Sequence, residues 1–424
     1  MNRRNFLTQT GAATGALAFY GAIRTIRAAD SPNSTLRVAV MGLGRGLDHV
    51  AALTAIQNVE VVTLCDIDDK RIEGGLKRIE GKQARTPQTS KDIRQVLELK
   101  DLDALFIASP NHWHAPATIM ACNAGKHVYV EKPCSHNPWE GEMMVRAARK
   151  NNRVVQMGNQ RRSWAGVVEG IQKLRDGAIG KVHFARSWYD NARGSIGKGK
   201  QVPVPPNIDY NLWQGPAPER PYVDNLVHYN WHWRWHWGNA ELGNNGIHAL
   251  DVIRWGLDVR HPVRVSCNGG RYHFDDDQET PDTTVAQYDF GTAGATWEGS
   301  SCHPRSHEKH DFVTFYGDEG ALAIGSGSSY RILDIKGKVI SEGKGEGGDR
   351  IHMNNFLETI RGNAKLNSDI EEGHLSTQLC HLGNIAYRTG RNLQIDPKTG
   401  YIIGDKEAQK LWKREYRRGW EPKV

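Results

Sequence analysis

The sequence predicts an α/β protein of two domains, in which a doubly wound parallel sheet of the Rossmann type precedes a domain with a mostly antiparallel sheet. Between residues 36 and 157, strand-like runs alternate with helical patterns, which is typical of parallel sheets. A glycine-rich turn directly follows the first run. After residue 158 the alternation stops, and short runs separated by turn residues favour antiparallel pairing. These runs cover residues 182–188, 263–268, 283–290, 295–300, 311–316, 321–325 and 330–335.

Residues 1–35 are predicted to be an export signal and linker outside the fold. Arg3 and Arg4 precede an uncharged, mostly apolar run over residues 11–23. This order is that of a signal peptide, and the paired arginines resemble a twin-arginine signal. The run is shorter than the ~20 residues that span a bilayer. We therefore expect a periplasmic or exported protein with no membrane span in its mature form; an uncleaved anchor or a tail is the alternative.

The charge of the chain gives no indication of nucleic-acid binding. The formal net charge is +7, but residues 1–29 hold four arginines and no acid, which leaves +3 for the rest. The basic stretch near the C-terminus is interleaved with glutamates. No stripe of one sign, of the kind that follows a phosphate backbone, is present. We expect a small-molecule partner and no nucleic acid.

The first strand, turn, helix and second strand have the order of a dinucleotide-binding unit. Gly42 allows a tight turn, and Gly44 lets backbone amides approach a pyrophosphate at the helix N-terminus. Asp66, which follows the second strand, lies 24 residues after Gly42. Its carboxylate suits a ribose 2′-hydroxyl and repels a 2′-phosphate, so NAD is favoured over NADP. The third glycine is irregular, because Gly46 comes one place early and Leu47 stands in the usual position.

Polar residues follow the later strands of this domain, where ligands of doubly wound sheets bind. The strand 103–109 ends before Asn111 and His114, and the strand 127–130 ends before Glu131 and Lys132. Gln160 follows the strand 154–157. The residues predicted to contact the coenzyme are Gly42, Gly44, Arg45, Gly46, Asp66, Ser109, Asn111, His114, Glu131, Lys132 and Gln160.

These motifs together resemble the glucose–fructose oxidoreductase, inositol dehydrogenase and rhizopine-catabolism (Gfo/Idh/MocA) family. The resemblance rests on the glycine-rich turn, on Ser109-Pro110-Asn111 with His114, and above all on Glu131-Lys132-Pro133. It covers nearly all of the chain after residue 35. It implies a Rossmann domain over 36–157, a second α/β domain over 158–424 with a large, open, mostly antiparallel sheet, and NAD(P)-linked chemistry on sugars or polyols. Another subunit usually covers such an open sheet face, so a homodimer or homotetramer is expected.

The resemblance also implies the catalytic groups. In the family, the lysine of Glu-Lys-Pro works with an aspartate and a histidine spaced four apart in the second domain. Lys132 and His248 match this pattern, but the place four before His248 holds Asn244. An amide cannot pair ionically with the imidazole or relay a proton. Asp251, three residues after His248, either orients that ring or only caps or bridges helices.

The segment 228–237 alternates tryptophans with polar residues, and three interpretations of it stay open. Its period of two predicts an extended segment with indoles on one face and imidazole or guanidinium groups on the other. Such a surface suits a sugar, packing in the core or between subunits, or a metal held by histidines four apart. The sequence favours the sugar site, with no metal. The predicted substrate contacts are Trp231, His232, Arg234 and His236.

Export constrains the chemistry, because a periplasm has no free nicotinamide pool to recharge a coenzyme that dissociates. The leading interpretation is an exported NAD(P)-dependent oxidoreductase that acts on a sugar or sugar derivative and holds its coenzyme tightly. The alternative is a redox-neutral glycosidase that oxidises a ring hydroxyl, eliminates the leaving group, and re-reduces the product. A non-catalytic sugar- or nucleotide-binding protein is a third interpretation, and Lys132 with His248 argues against it.

Overall fold

The computed structural model describes residues 35–424, and the predicted export signal lies outside this range except for its last residue. The first domain contains a six-stranded parallel sheet in the order β3-β2-β1-β4-β5-β6. Its strands are β1 (Leu36–Met41), β2 (Val59–Cys65), β3 (Gln88–Ser90), β4 (Ala104–Ile107), β5 (His127–Val130) and β6 (Val155–Met157). Its helices are α1 (Gly46–Leu53), α2 (Asp69–Ile79), α3 (Ile93–Leu97), α4 (Asn111–Asn123) and α5 (Pro138–Lys150). This confirms the predicted Rossmann fold.

The second domain contains an eleven-stranded sheet in the order β15-β14-β13-β12-β7-β10-β9-β8-β16-β17, with β11 paired to β7. Only β7 and β10 pair in parallel; the other pairs are antiparallel. Its strands are β7 (Val182–Ala192), β8 (Arg264–Gly270), β9 (Thr283–Asp289), β10 (Gly294–Ser300), β11 (Cys302–His303), β12 (Val313–Gly317), β13 (Gly320–Ile324), β14 (Ser329–Asp334), β15 (Val339–Lys344), β16 (Leu393–Ile395) and β17 (Ile402–Ile403). The mostly antiparallel sheet is confirmed.

Helices cover the second sheet and connect it to the first domain. The helices are α6 (Ala165–Arg175), α7 (Tyr210–Gln214), α8 (Ile247–Leu257), α9 (Asp349–Ile360), α10 (Ile370–Thr389) and α11 (Lys406–Gln409). A single π turn, Leu242–Gly246, leads directly into α8. Within residues 35–424, no helix is both long enough and apolar enough to cross a bilayer.

A segment of the second domain, residues 193–237, returns to the first domain; we call it the strap. The Asp209 amide donates to the Ile67 carbonyl at 2.9 Å, and the Asp69 amide donates to the Asn207 carbonyl at 3.1 Å. At its other side the strap is tied to the second domain, where Arg234 pairs with Asp277 at 3.2 Å. The strap therefore bridges the carboxyl edge of the first sheet and the second sheet.

The tryptophan-rich part of the strap is not the extended segment that its period of two predicts. It consists of turns and a short 3₁₀ helix, Asn230–Trp233. Trp231, Trp233 and Trp237 are buried, whereas Trp235 is half-buried. Trp231 and Trp237 belong to a small apolar cluster with the strap's own Tyr210. The alternation of indoles therefore reflects packing inside a compact loop, and not the two faces of a strand.

Helix α9 also belongs to the first domain by its packing, although it lies far along the chain. Its residues Met353, Phe356 and Leu357 are fully buried and share one core cluster with Val38 and Val40 of β1. The core of the first domain therefore includes residues that lie beyond the predicted boundary at residue 157.

We predict that Phe356→Ala destabilises the first domain by ~3–5 kcal/mol, because it removes a fully buried ring from that core. Urea unfolding followed by circular dichroism measures the loss. Ile335→Ala, at a side chain that is 73% exposed, is the matched control and should change stability little. A loss under ~1 kcal/mol for Phe356→Ala would show that α9 is not part of this core.

Candidate active site

A cavity of about 610 Å³ lies at the carboxyl ends of the strands of the first sheet. The turns after β1, β2, β4, β5 and β6 form its floor. The strap closes it from above through Trp213, His228 and Tyr229, and the second domain contributes Asn244 and His248. The cavity therefore joins the two places from which the sequence predicts coenzyme and substrate contacts.

The glycine turn after β1 has the shape that a diphosphate requires. Gly42 has φ +86°, and a Cβ there would lie 2.6 Å from the Ala108 backbone, so no other residue fits. At Gly44, a Cβ would meet no atom within 4 Å, which leaves the turn open to the cavity. Gly46 is the exception among the predicted coenzyme contacts, because it does not line the cavity. A Cβ there would lie 3.0 Å from Val40 Cγ1, so its role is close packing of α1 on β1.

Asp66 lies at the end of β2 and lines the cavity. Its Oδ2 accepts a hydrogen bond from the Leu43 amide at 2.6 Å, and its Oδ1 accepts one from the Asp68 amide at 3.0 Å. Burial raises its pKa above the ordinary value, against the effect of these two amides. The carboxyl is thus held rigidly between the first and second turns of the site.

Glu131 anchors the turn after β5. Its Oε1 receives hydrogen bonds from His49 Nε2 at 2.9 Å and Arg45 Nε at 3.2 Å. Burial alone would raise its pKa, but the His49 bond and the Arg45 charge outweigh burial and hold the pKa well below its ordinary value. Arg45, which also pairs with Asp349 of α9, lines the cavity beside it. Sequence reasoning missed His49, whose position on α1 gave no signal.

Lys132 extends from the same turn to the second domain. Its Nζ donates to the Asn244 carbonyl at 2.7 Å and to Asn244 Oδ1 at 3.2 Å. Burial lowers its pKa below the ordinary value, against the opposing charge of Glu131. Asn244 therefore positions the ammonium group, which is a different task from pairing with the histidine.

His248 lines the cavity one turn further along the chain, at the start of α8. Burial lowers its pKa to about 3, and the charge of Lys132 adds to this effect. Its ring makes no hydrogen bond to any of residues 35–424. The imidazole is therefore neutral and free to accept a proton.

Asp251 does not orient that ring, so the catalytic assignment is corrected. Its Oδ1 accepts hydrogen bonds from Arg162 Nε at 3.0 Å and from Ser376 Oγ at 2.7 Å. The carboxyl is 1% exposed and lies outside the cavity lining. Asp251 instead bridges α8 with α10 and with the segment that contains Arg162, which is the structural role that the sequence left open.

The four predicted substrate contacts divide into two pairs. Trp231 and His232 line the cavity together with Lys132 and His248. Arg234 and His236 do not, which corrects the prediction for both. Arg234 pairs with Asp277, and His236 Nε2 lies 2.8 Å from the Pro218 carbonyl. The loop conformation explains this separation, because a turn rotates neighbouring side chains to different sides, whereas a strand would keep alternate ones together.

The remaining predicted contacts all line the cavity. Asn111 Nδ2 donates to Asn239 Oδ1 at 3.0 Å, and His114 bridges the carbonyls of Ser109 and Pro133 at 2.7 and 2.6 Å. Ser109 Oγ is buried without a hydrogen-bond partner among residues 35–424, so a bound ligand would satisfy it. The residues placed at the cavity are Gly42, Gly44, Arg45, Asp66, Ser109, Asn111, His114, Glu131, Lys132 and Gln160.

Most of the strap residues that line the cavity were not predicted as contacts from the sequence. Trp213 lines the cavity, and its carbonyl accepts a hydrogen bond from Trp113 Nε1 at 3.0 Å. His228 also lines it, with Nε2 2.8 Å from Asp68 Oδ2. From the sequence, His228 was considered only as one of the histidines spaced four apart in the segment 228–237 that could hold a metal. Across residues 35–424, no group of three or more His, Cys, Asp or Glu side chains is arranged to hold a metal ion.

The site fits a dinucleotide by its own shape and polarity. The open glycine turn, the unpartnered Ser109 hydroxyl and the rigid Asp66 carboxyl follow one another along the strand ends. The ammonium of Lys132 and the neutral imidazole of His248 lie in the same cavity. This arrangement can take a proton from a hydroxyl group and stabilise a developing alkoxide.

Comparison with known proteins agrees with this geometry. A family model described as the NAD-binding Rossmann fold of an oxidoreductase family matches residues 36–159. The model of that family's C-terminal alpha/beta domain matches residues 185–422. Together they cover most of the chain.

Among curated proteins, inositol 2-dehydrogenase of Salmonella typhimurium (strain LT2) is 31% identical over 161 residues, which are 37% of this chain and 47% of that protein. A glycosyl hydrolase family 109 protein of Shewanella baltica (strain OS195) is 26% identical over 213 residues, 45% of this chain and 46% of that protein. The chain thus spans about half the length of the curated relatives it matches.

Among solved structures, the WlbA dehydrogenase of Bordetella pertussis, in complex with NADH and UDP-GlcNAcA, has a TM-score of 0.65 and 16% identity. The match covers 85% of this chain and 99% of that one, and it shows a shared fold. On the strength of both family models, the chain belongs to the Gfo/Idh/MocA family of oxidoreductases.

Proposed function

We propose that this protein is an exported, NAD-dependent oxidoreductase that acts on a hydroxyl group of a sugar or sugar derivative. The observation that carries the proposal is that Lys132 and His248 share one cavity with the open turn at Gly42 and Gly44. A nicotinamide coenzyme, when bound there, supplies a hydride acceptor. The similarity to inositol 2-dehydrogenase supports a polyol or sugar as substrate.

The residues of the chain divide the work as follows. His248 is neutral and takes the proton of the substrate hydroxyl. Lys132, held by Asn244, keeps a positive charge beside the oxygen that becomes an alkoxide and then a carbonyl. Two of the three N–H donors of Lys132 bind Asn244, so one remains for the substrate. Trp231 provides an apolar surface for the C–H face of a sugar ring.

The choice of NAD over NADP rests on Asp66. Its carboxyl occupies the end of β2, where a dinucleotide's adenosine ribose lies in Rossmann folds. A carboxylate at this place accepts hydrogen bonds from ribose hydroxyls and repels a 2′-phosphate.

Tight retention of the coenzyme is supported by the strap. Asp68 of the first domain binds the strap with both carboxylate oxygens. Its Oδ1 accepts a hydrogen bond from Asn207 Nδ2 at 2.6 Å, and its Oδ2 lies 2.8 Å from His228 Nε2. The strap therefore lies over the cavity, and we propose that a bound dinucleotide leaves more slowly while these contacts hold. Such an anchored strap suits an exported enzyme, whose location we propose from the signal-like residues 1–35.

A homodimer or homotetramer is the proposed assembly. Along β9 of the eleven-stranded sheet the residues alternate between buried and more exposed, which indicates one covered face and one open face. The outward face includes Val285, which is 37% exposed. A second copy packed on this face would protect it from solvent.

A redox-neutral glycosidase is the second candidate, and one observation favours it. The chain is similar over 213 residues to a glycosyl hydrolase family 109 protein. In this candidate the same Lys132 and His248 oxidise a ring hydroxyl transiently, and the product is re-reduced before it leaves. The closed strap suits this candidate equally, because the coenzyme ends each cycle in its starting state.

We predict that Lys132→Ala lowers turnover by ~10²–10³-fold, because the alkoxide loses its stabilising charge. The rate of reduced-nicotinamide formation from myo-inositol and a panel of aldoses measures the effect. Lys77→Ala, at an exposed position on α2, is the control. The assignment fails if Lys132→Ala turns over as fast as this control while coenzyme remains bound.

The pH dependence of kcat/KM should show no acid limb between pH 8 and pH 5. The folded-state pKa of His248 is lowered to about 3, so its imidazole stays neutral until the pH approaches that value. On the alkaline side, kcat/KM should decrease as Lys132 loses its proton. The midpoint of this decrease should lie below pH 10.5, the ordinary lysine pKa, because burial lowers the pKa of Lys132. A fall centred near pH 6.5 would contradict the role of His248 as a buried neutral base.

Asp68→Asn should release bound coenzyme ~10–100-fold faster, because hydrogen bonds to a charged group contribute ~1.5–3 kcal/mol. Asparagine can still cap α2 but loses the carboxylate that binds His228. Release of reduced coenzyme into excess oxidised coenzyme, followed by fluorescence, gives the rate. Asp405→Asn alters a matched helix cap on α11, away from the strap, and should not change it. Equal rates in both variants would show that the strap does not retain the coenzyme.

A further inference from the structure

Besides His248, the cavity contains a neutral imidazole on the strap that simple hydride transfer does not use. His232, on the strap, lines the same cavity as Lys132 and His248. Dehydrogenation of an alcohol releases one proton and one hydride, so His248 alone suffices for it.

The tautomer of His232 is set by its neighbours. Its Nδ1 lies 2.6 Å from the Tyr229 carbonyl oxygen. A carbonyl can only accept a hydrogen bond, so Nδ1 carries the hydrogen and Nε2 carries the lone pair. Among residues 35–424, no group forms a hydrogen bond with Nε2. The lone pair is therefore available to a ligand in the cavity.

The ring of His232 is also fixed in orientation. It stacks on the Trp231 indole, with ring centroids 3.6 Å apart and an interplanar angle of 20°. Tyr229 packs on it as well, at 4.7 Å. Burial lowers the pKa of His232 to about 3, and the charges of Lys132 and Arg193 add to this effect. The ring is thus neutral at neutral pH, and its position does not depend on the substrate.

We propose that Nε2 of His232 is a second proton acceptor, which removes the proton from the carbon next to a substrate carbonyl. In this step the C–H bond breaks, its electron pair forms the enolate C=C bond, and the carbonyl π pair moves onto oxygen. The proton bonds to Nε2, and the ammonium of Lys132 stabilises the enolate oxygen. No electrons are gained or lost overall.

This step defines the substrate class and rests on the proposed function for the formation of the carbonyl. An enolate is useful when a leaving group lies on the next carbon. The carbonyl re-forms, a C=C bond appears, and the C–O bond to the leaving group breaks, with a proton from water completing the released alcohol. The substrate is then a glycoside whose oxidised carbon is two bonds from the anomeric centre, and the reaction is elimination.

Isotope exchange tests the proton transfer without the oxidation step. The probes are the methyl 2-, 3- and 4-ketoglycosides of glucose and galactose, incubated in D₂O with coenzyme-loaded protein and followed by proton NMR. We expect the wild type to exchange the hydrogen next to the carbonyl in at least one probe, and His232→Gln to exchange it ~10²-fold more slowly or not at all. His236→Gln is the matched control, because His236 lies in the same segment but outside the cavity, with Nε2 near Pro218.

Equal exchange in His232→Gln and the control, or no exchange by the wild type with any probe, overturns the proposal. A second measurement needs no substrate. Long-range ¹⁵N–¹H correlation spectra of histidine-labelled protein, assigned with His232→Gln, should show Nδ1–H and an unprotonated Nε2 at pH 7. Protonation at Nε2 also overturns it.

The two proposals can fail separately. If the protein exchanges the hydrogen next to the carbonyl of a keto sugar but forms no reduced coenzyme from any sugar, the role of His232 stands and the oxidoreductase assignment is wrong. Protein that oxidises a sugar but exchanges nothing would be a dehydrogenase with one base.

Discussion

The contact between the Lys132 ammonium and the two oxygens of Asn244 holds the candidate active site together. Here a turn of the first domain binds a residue of the second, and both residues line the cavity. An ammonium group removed from water needs oxygen partners, and the backbone carbonyl at 2.7 Å is the closer of the two. That carbonyl lies in the π turn Leu242–Gly246, where the hydrogen-bond pattern of a helix is interrupted.

The amide at position 244 also changes the electrostatics of the cavity. A carboxylate here would neutralise Lys132 and raise the pKa of a neighbouring imidazole, whereas an amide does neither. Burial lowers the pKa of both His232 and His248 and favours their neutral forms, and the charge of Lys132 adds to this effect. The carboxyl of Asp251 cannot compensate, because Arg162 and Ser376 occupy it. The cavity thus combines the ammonium of Lys132 with the uncharged imidazoles of His232 and His248.

The sequence was sufficient where function depends on backbone shape or on strand ends. Gly42 could be recognised because only glycine tolerates its turn, and Lys132 because it follows a strand of a parallel sheet. The strap could not be predicted, because its contacts with Asp68 join residues more than a hundred places apart. The period of two in the tryptophan-rich segment was misleading, since a loop that packs on its own aromatic rings imitates the pattern of a strand. For the same reason Arg234 and His236 were wrongly predicted to line the cavity.

Helix α9 has a consequence for how the chain reaches its native state. The core beneath β1 is completed by Met353, Phe356 and Leu357, which are synthesised more than three hundred residues after that strand. While the ribosome is still adding the second domain, Val50 and Leu53 of α1 already pack on this core, but the part that α9 covers stays open to solvent. The nucleotide-binding domain therefore lacks part of its core during translation until the C-terminal region has emerged.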